Sequence, residues 1–340
     1  MPNKIKQVFP LGFPWETADP FLFCVYHEDF FPRGNPDMGP DVPLTGRNIG
    51  NDFTIRDGWR MYHGDRVPGF PAHPHRGFET VTVVRQGVVD HADSLGAAGR
   101  YSSGDTQWLT AGKGVQHSEM FPLLHTDRDN TLELFQIWLN LPAAGKMVEP
   151  YFTMFWKDQT PVFEFVDPDR LRTRIDLVAG KLDGFEAPAP PPDSWASDKA
   201  NQVAIWVITM DPGARWTMPA AAAGVNRRLY FYKGENLRIA DQLYVPGHGL
   251  VLDPAEEIPL QNGELAAGLL LLQGRPINEQ VAHYGPFVMN TRQELEQAFR
   301  DYQSTRFGGW PWPRDDQVFA RERGRFAKYT DGHEEEASLD

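Results

Sequence analysis

Residues 83–87 (VVRQG) and residues 230–234 (YFYKG) are one device written twice, a short apolar run that stops at a glycine. Gly104 follows the first run and Gly249 the second at a similar spacing. An apolar stretch then follows each, residues 132–139 and residues 267–272. A glycine at the end of such a run supplies the left-handed backbone conformation that a tight turn needs. Two sets of turns in one order predict a fold built twice. The runs between turns are short and rich in β-branched residues, as in residues 78–85 (FETVTVVR). Turn signals every 8–12 residues or so indicate a sandwich or barrel. The 31 glycines and 29 prolines among 340 residues supply the turns such a chain requires. At roughly 150 residues per domain, the length fits two domains. The fold class expected is all-β.

The expected parts, in chain order, are five. An N-terminal domain covers residues 1–150, and a connecting segment with a proline-rich spacer covers 151–200. A C-terminal domain covers 201–290, a helix 291–309 and a charged tail 310–340. The spacer is residues 187–193 (APAPPPD), a composition that stays extended and stiff. The helix is announced by Thr291 and Glu294, which have capping-box spacing. Leu295, Ala298, Phe299 and Tyr302 then recur on one face. The tail is mostly charged and polar, which predicts a solvated extension.

Charge and cysteine content remove several function classes. The chain has 33 Lys and Arg against 46 Asp and Glu, a net charge of −13. Phosphate contacts need Lys and Arg, so direct nucleic-acid binding is disfavoured. The lone Cys24 removes internal disulfides and any thiolate-rich zinc site. The opening residues carry no apolar run of signal-peptide length, and residues 266–272 are too few to span a bilayer. A soluble, cytoplasmic protein without a membrane partner is expected.

Two short strings carry the chemistry, residues 71–79 (PAHPHRGFE) and residues 112–120 (GKGVQHSEM). In an extended chain, residues two apart point to one face. His73 and His75 therefore project together, and so do His117 and Glu119. Two such pairs on neighbouring strands would converge three imidazoles and one carboxylate. Three nitrogens and one oxygen suit a divalent first-row metal: Fe, Mn, Co, Ni, Cu or Zn. Four protein donors on a six-coordinate ion would leave two positions for substrate and water. The pattern H-x-H-x3-E, followed after a strand–turn–strand block by G-x4-H, is close to the two motifs of the cupin barrel.

A closer resemblance covers both halves. HPHRGFETVT (73–82), GVVDHADSLG (87–96), GDTQWLTAGKGVQHSEM (104–120), LFQIWLNLP (134–142), KMVEP (146–150) and GPFVMNT (285–291) resemble the pirin family of bicupins. The six strings keep the family's order, from about Asp19 to the C-terminal helix. Residues 24–70 look longer than in that family, residues 187–201 look like an enlarged linker, and the tail after Gly309 is an addition. The longer 24–70 stretch bears on the mouth of the cavity, and so on substrate identity.

The resemblance implies two double-stranded β-helix (jelly-roll) barrels in one chain, plus the C-terminal helix. It makes residues 1–150 the metal-binding cupin and residues 201–290 a metal-free one. It carries the metal ligands over to His73, His75, His117 and Glu119. A generic cupin would use Glu79 as the carboxylate in place of Glu119. One divalent transition metal is implied, Fe(II) first, with Mn, Ni, Co, Cu and Zn as alternatives.

The implied activity is a dioxygenase that opens a flavonol such as quercetin with dioxygen. Glu119 is its general base and catalytic residue. The alternative is a metal-containing regulator that works through protein partners. A monomer is expected, because two barrels in one chain mimic the dimer of a single-barrel cupin. Phe78, Gln107, Trp108 and Met120, in or beside the motif strings, are expected to line an aromatic pocket. His91 and Asp93 read as turn and surface residues. The second half has no equivalent ligand set. No histidine stands near Trp216–Met218, only Glu264 remains near residues 261–264, and His248 and His283 are isolated.

Overall fold

The run FETVTVVRQ forms the strand Phe78–Gln86 in the computed structural model, which describes residues 4–337. Its first seven residues are all buried. Such burial on both faces suits β-branched side chains and follows from the strand's central place in a five-stranded sheet. The sheet order is Tyr151–Phe155, Thr106–Thr110, Phe78–Gln86, Asn130–Asn140 and Phe21–Phe31. A second sheet runs Glu334–Ala337, Arg325–Lys328, Ala98–Ser102, Val88–Asp93, Val115–Met120 and Gly69–His75. Their shared core includes Val84, Val89, Tyr101, Leu109, Leu134 and Met154.

The other half repeats the plan. One sheet runs Ile5–Pro10, His248–Leu252, Asn226–Lys233, Ala267–Gly274 and Ala204–Met210, and continues with Arg172–Ala179 and Val162–Val166. Its partner runs Gln242–Tyr244, Leu237–Ile239, Ile258–Asn262 and Arg215–Met218. Taken in chain order, the strands occupy equivalent places in the two barrels, as the repeated turns predict. The turn hydrogen bonds also repeat. The amide of Gly104 donates to the carbonyl of Val84, and that of Gly247 to the carbonyl of Phe231, each at 2.8 Å.

Gly247 (φ 88°), rather than Gly249, is thus the counterpart of Gly104 (φ 94°). Gly249 sits inside the strand His248–Leu252 for another reason. A Cβ there would lie 2.3 Å from the Phe9 ring.

The two structural units interleave along the chain. Among the described residues, one comprises 26–137, 141–157 and 279–337; the other comprises 4–25, 138–140 and 158–278. The first strand, Ile5–Pro10, thus edges the second barrel by pairing with His248–Leu252. The first barrel takes its corresponding edge from Tyr151–Phe155. The proline-rich stretch 187–193 lies within the second unit and does not separate the barrels.

The C-terminal segments belong with the first barrel. The capping box forms as expected, with Thr291 Oγ1 accepting from the Glu294 amide at 3.2 Å and Glu294 Oε2 from the Thr291 amide at 2.8 Å. The helix Arg292–Thr305 packs Leu295 and Ala298 against Phe287, Met289 and Phe307.

The tail corrects the expectation of a solvated extension. Arg325–Lys328 adds a strand beside Ala98–Ser102. The buried Arg100 grips Asp90 with two bonds, at 2.7 and 2.8 Å, and also donates to the carbonyls of Phe319, Ala320 and Arg323. Phe326 and Ala327 are fully buried, and Arg325 pairs with the buried Asp105 at 2.6 Å. Charge composition hid this because some of the charges meet buried partners instead of water. Residues 338–340 of the expected tail lie outside the described residues. Among the described residues no helix is long and apolar enough to cross a membrane.

Candidate metal centre

Gly69–His75 and Val115–Met120 run antiparallel with His73 directly opposite His117. The period-two spacing places His75 on the same face as His73. The three imidazole centroids are 4.5 Å (His73–His117), 4.8 Å (His73–His75) and 4.8 Å (His75–His117) apart. One nitrogen from each ring lies within 4.8 Å of the others, a group that could hold a metal ion. Glu119 stands beside this group, with Oε2 3.7 Å from His117 Nε2.

Two rings are oriented by main-chain carbonyls. His73 Nδ1 lies 2.8 Å from the carbonyl of Pro71, and His75 Nδ1 3.4 Å from that of Pro286. An Nδ1–H donated to a carbonyl puts the ring's lone pair on Nε2, the arrangement of a metal-ligating histidine. Both ring nitrogens of His117 are buried without a hydrogen-bond partner. Such orphaned nitrogens are costly, and a bound cation would satisfy one of them.

Electrostatics keep the rings neutral. Burial lowers the pKa of His73 to about 4, opposed by the Pro71 carbonyl and aided by the nearby His63 and His91. His75 and His117 are held well below the ordinary imidazole value, first by burial and then by the neighbouring rings. Neutral imidazoles are the form that binds metals. Burial raises the Glu119 carboxyl, opposed by His91 and by hydrogen bonds from Thr82, Gln136 and Tyr101. Thr82 Oγ1 donates to Glu119 Oε1 at 2.9 Å, and Gln136 Nε2 to Oε2 at 2.9 Å. Thr82 and Gln136 were not visible as site residues in the sequence, because each comes from a different strand of the facing sheet.

The candidate pocket residues divide by strand parity. Phe78 lies on the site's face, its ring 5.0 Å from His75. Gln107 is opposite Thr82, and its Nε2 is 3.2 Å from His91 Nδ1. Trp108 is opposite Val81 and turns to the other face, where its ring lies 6.1 Å from Phe155. Met120, next to Glu119 in an extended strand, also turns away. Neighbours in a strand cannot share a face, so Gln107 and Trp108 could not both line one cavity, nor could Glu119 and Met120. Glu79 has the same outward parity and accepts from Thr110 Oγ1 at 2.7 Å.

His91 and Asp93 are not at the surface, as the sequence suggested, but 0% and 1% exposed. Asp93 does serve the turn, since its Oδ1 accepts the amides of Leu95 and Ala97. A cavity of about 440 Å³ lies elsewhere in this unit, lined by Phe31, Gln86, Phe121, Arg128 and Leu132 among others.

Two repeated barrels, one carrying a largely buried imidazole cluster, define a bicupin with, among the described residues, a single candidate metal centre. Residues 46–139 match the family described as Pirin, and residues 205–308 match the Pirin C-terminal cupin domain. A Vibrio cholerae protein that carries a provisional quercetin 2,3-dioxygenase name is 36% identical over 252 residues, 72% of this chain and 81% of that one. Human Pirin is 30% identical over 254 residues, 73% of this chain and 80% of that one. The crystal structure of a quercetin 2,3-dioxygenase from Acinetobacter baumannii shares the fold. It covers 90% of this chain and 98% of its own at a TM-score of 0.68 and 24% identity. The chain belongs to the pirin family.

Proposed function

We propose that this pirin is a metal-dependent oxygenase that opens the ring of a flavonol such as quercetin, using one divalent ion, Fe(II) first, held by His73, His75, His117 and Glu119. The observation that carries the reading is the set of three neutral imidazoles, His75 and His117 buried and His73 half-buried, whose nitrogens lie within 4.8 Å, with the Glu119 carboxylate beside them. The donor set is all nitrogen and oxygen, which suits iron, manganese, cobalt, nickel or copper and leaves the choice to availability. When bound, the ion would act as a Lewis acid toward a substrate hydroxyl and support electron transfer to dioxygen.

The chain's own part is positioning and proton transfer. Glu119, its carboxyl raised by burial, takes the proton of the substrate hydroxyl as general base. Thr82 and Gln136 hold its two oxygens in place for that transfer. Phe78 gives the cluster an apolar wall beside His75 and limits water there.

The test is metal analysis of the purified protein together with oxygen uptake in the presence of quercetin. His73→Ala should lose both metal and uptake. Glu119→Gln should lower turnover by roughly 10²–10⁴-fold, the range for loss of a general base. Metal-loaded protein that consumes no oxygen with any flavonol would rule the reading out.

A further inference from the structure

Behind His117 and Glu119 lies a second row of polar side chains that the second barrel does without. His91 is opposite Glu119 in register, and Asp93 is opposite His117. The His91 ring is 5.4 Å from that of His117 and stacks on Phe152 at 5.1 Å with an interplanar angle of 21°. Gln107 Nε2 donates to His91 Nδ1 at 3.2 Å, so Nε2 carries the proton and faces Asp93 Oδ2 at 3.4 Å. Gln107 is fully buried, and main-chain amides hold the other oxygen of Asp93. The imidazole is thus fixed at both nitrogens and on one face.

Register supplies the comparison. In the second barrel Leu237 is opposite Asn262, and Ile239 is opposite Leu260. Trp216 is opposite Leu260 as His73 is opposite His117. Leu237 therefore stands where His91 stands, and Ile239 where Asp93 stands. Leu250, opposite Leu229, stands where Gln107 does, opposite Thr82. All of these apolar counterparts belong to one hydrophobic core. A barrel of this design packs well with aliphatic groups at the three positions. Burying an imidazole, an amide and a carboxylate there costs desolvation that packing does not require.

We propose that His91, held by Gln107 and Asp93, is a positioning residue of the metal centre that sets how His117 and Glu119 present their donor atoms. The proposal rests on the metal-centre reading above. Partners behind metal ligands commonly change affinity by roughly 10–100-fold when lost.

The experiment uses the full-length protein, with Co(II) as the probe. Affinity is read by chelator competition, and ligand geometry by the visible absorption of the bound ion. His91→Leu, which installs the side chain found at Leu237, should fold with an apo unfolding midpoint no lower than that of the parent. Its Co(II) affinity should fall about 10–100-fold and its absorption bands should shift. Gln107→Leu should move both readouts in the same direction, and His91→Gln should recover part of the loss by keeping a hydrogen bond.

A folded His91→Leu protein with the parent's affinity and spectrum would overturn this proposal alone. Failure of His91→Leu to fold would also overturn it, since the imidazole would then be needed for packing. If the parent protein takes up no Co(II), the metal-centre reading itself fails and carries this proposal with it.

Discussion

The two barrels have the same strand arrangement and the same turn hydrogen bonds, yet their interiors differ in kind. Where the first places His73, His75, His117 and Glu119, the second places Trp216, Met218, Leu260 and Asn262 by register. Trp216, Met218 and Leu260 belong to the second barrel's hydrophobic core. Asn262 uses its side-chain amide to tie the Met210, Asp211 and Leu265 carbonyls. The difference separates what the fold needs from what a site needs. Strand order and turns survive replacement of the three imidazoles by apolar side chains, so the imidazole cluster is an addition to a barrel that folds on apolar packing.

Exchanging residues between equivalent positions is the sharpest way to break this comparison. His117→Leu should abolish metal uptake, by more than roughly 100-fold, since losing a ligand exceeds the effect of losing a partner behind one. It should also stabilise the metal-free protein by about 1–3 kcal/mol, because two buried ring nitrogens without partners disappear. The reverse change, Leu260→His, should destabilise by about 1–3 kcal/mol and bind no metal, as Trp216 and Met218 offer no imidazole. Denaturant unfolding and metal titration read both. A destabilised apo His117→Leu protein would sink the idea that the first barrel's interior is the costly one.

Acid should act through the first barrel. His73 titrates near 4 in the folded chain and near 6.5 when unfolded. Between those values the unfolded chain binds more protons, so the stability of the metal-free protein falls as pH drops from about 6.5 toward 4. Bound metal should be released over the same descent, because protons compete for the imidazoles. Thermal midpoints across this range, with and without His73→Leu, check the sign. An unchanged pH slope in the variant would remove His73 as its source.

The smallest effect compares equivalent turns. Gly104→Ala and Gly247→Ala each force a left-handed alanine, at about 1–2 kcal/mol. Gly104→Ala should cost more, because its Cβ would lie 2.7 Å from Lys157 Cβ, whereas Gly247 has no heavy atom within 4 Å of the position. Equal shifts in urea midpoint would show that the turn conformation alone decides the cost.

The sequence made the central cluster legible because its members come in two pairs with strand spacing, and each pair lies within one strand. The repeated turns were legible because glycine marks them. Gly249 departs from the repeat because that glycine answers a close ring, Phe9, rather than a turn. Thr82, Gln136, Gln107 and His91 reach the site from separate strands, and no spacing within the chain connects them. Trp108 and Met120 stand close in sequence to the motif strings, but strand alternation turns them to the opposite face. Composition does not reveal the docked tail, because it counts charges without showing that Arg100 meets Asp90 and Arg325 meets Asp105 out of water.

By itself, then, the sequence determined the all-β duplicated architecture, the capped helix and the convergence of His73, His75 and His117 with Glu119 beside them. Each of these is written in local periodicity, two for strands and 3.6 for the helix, or in turn residues with special backbone freedom. Only the tertiary structure decided which face each neighbour of the motif occupies, which polar groups stand behind the imidazole cluster and which barrel the terminal segments complete. Those depend on register between strands far apart in the chain, and a shift of one residue in register would turn every side chain to the opposite face.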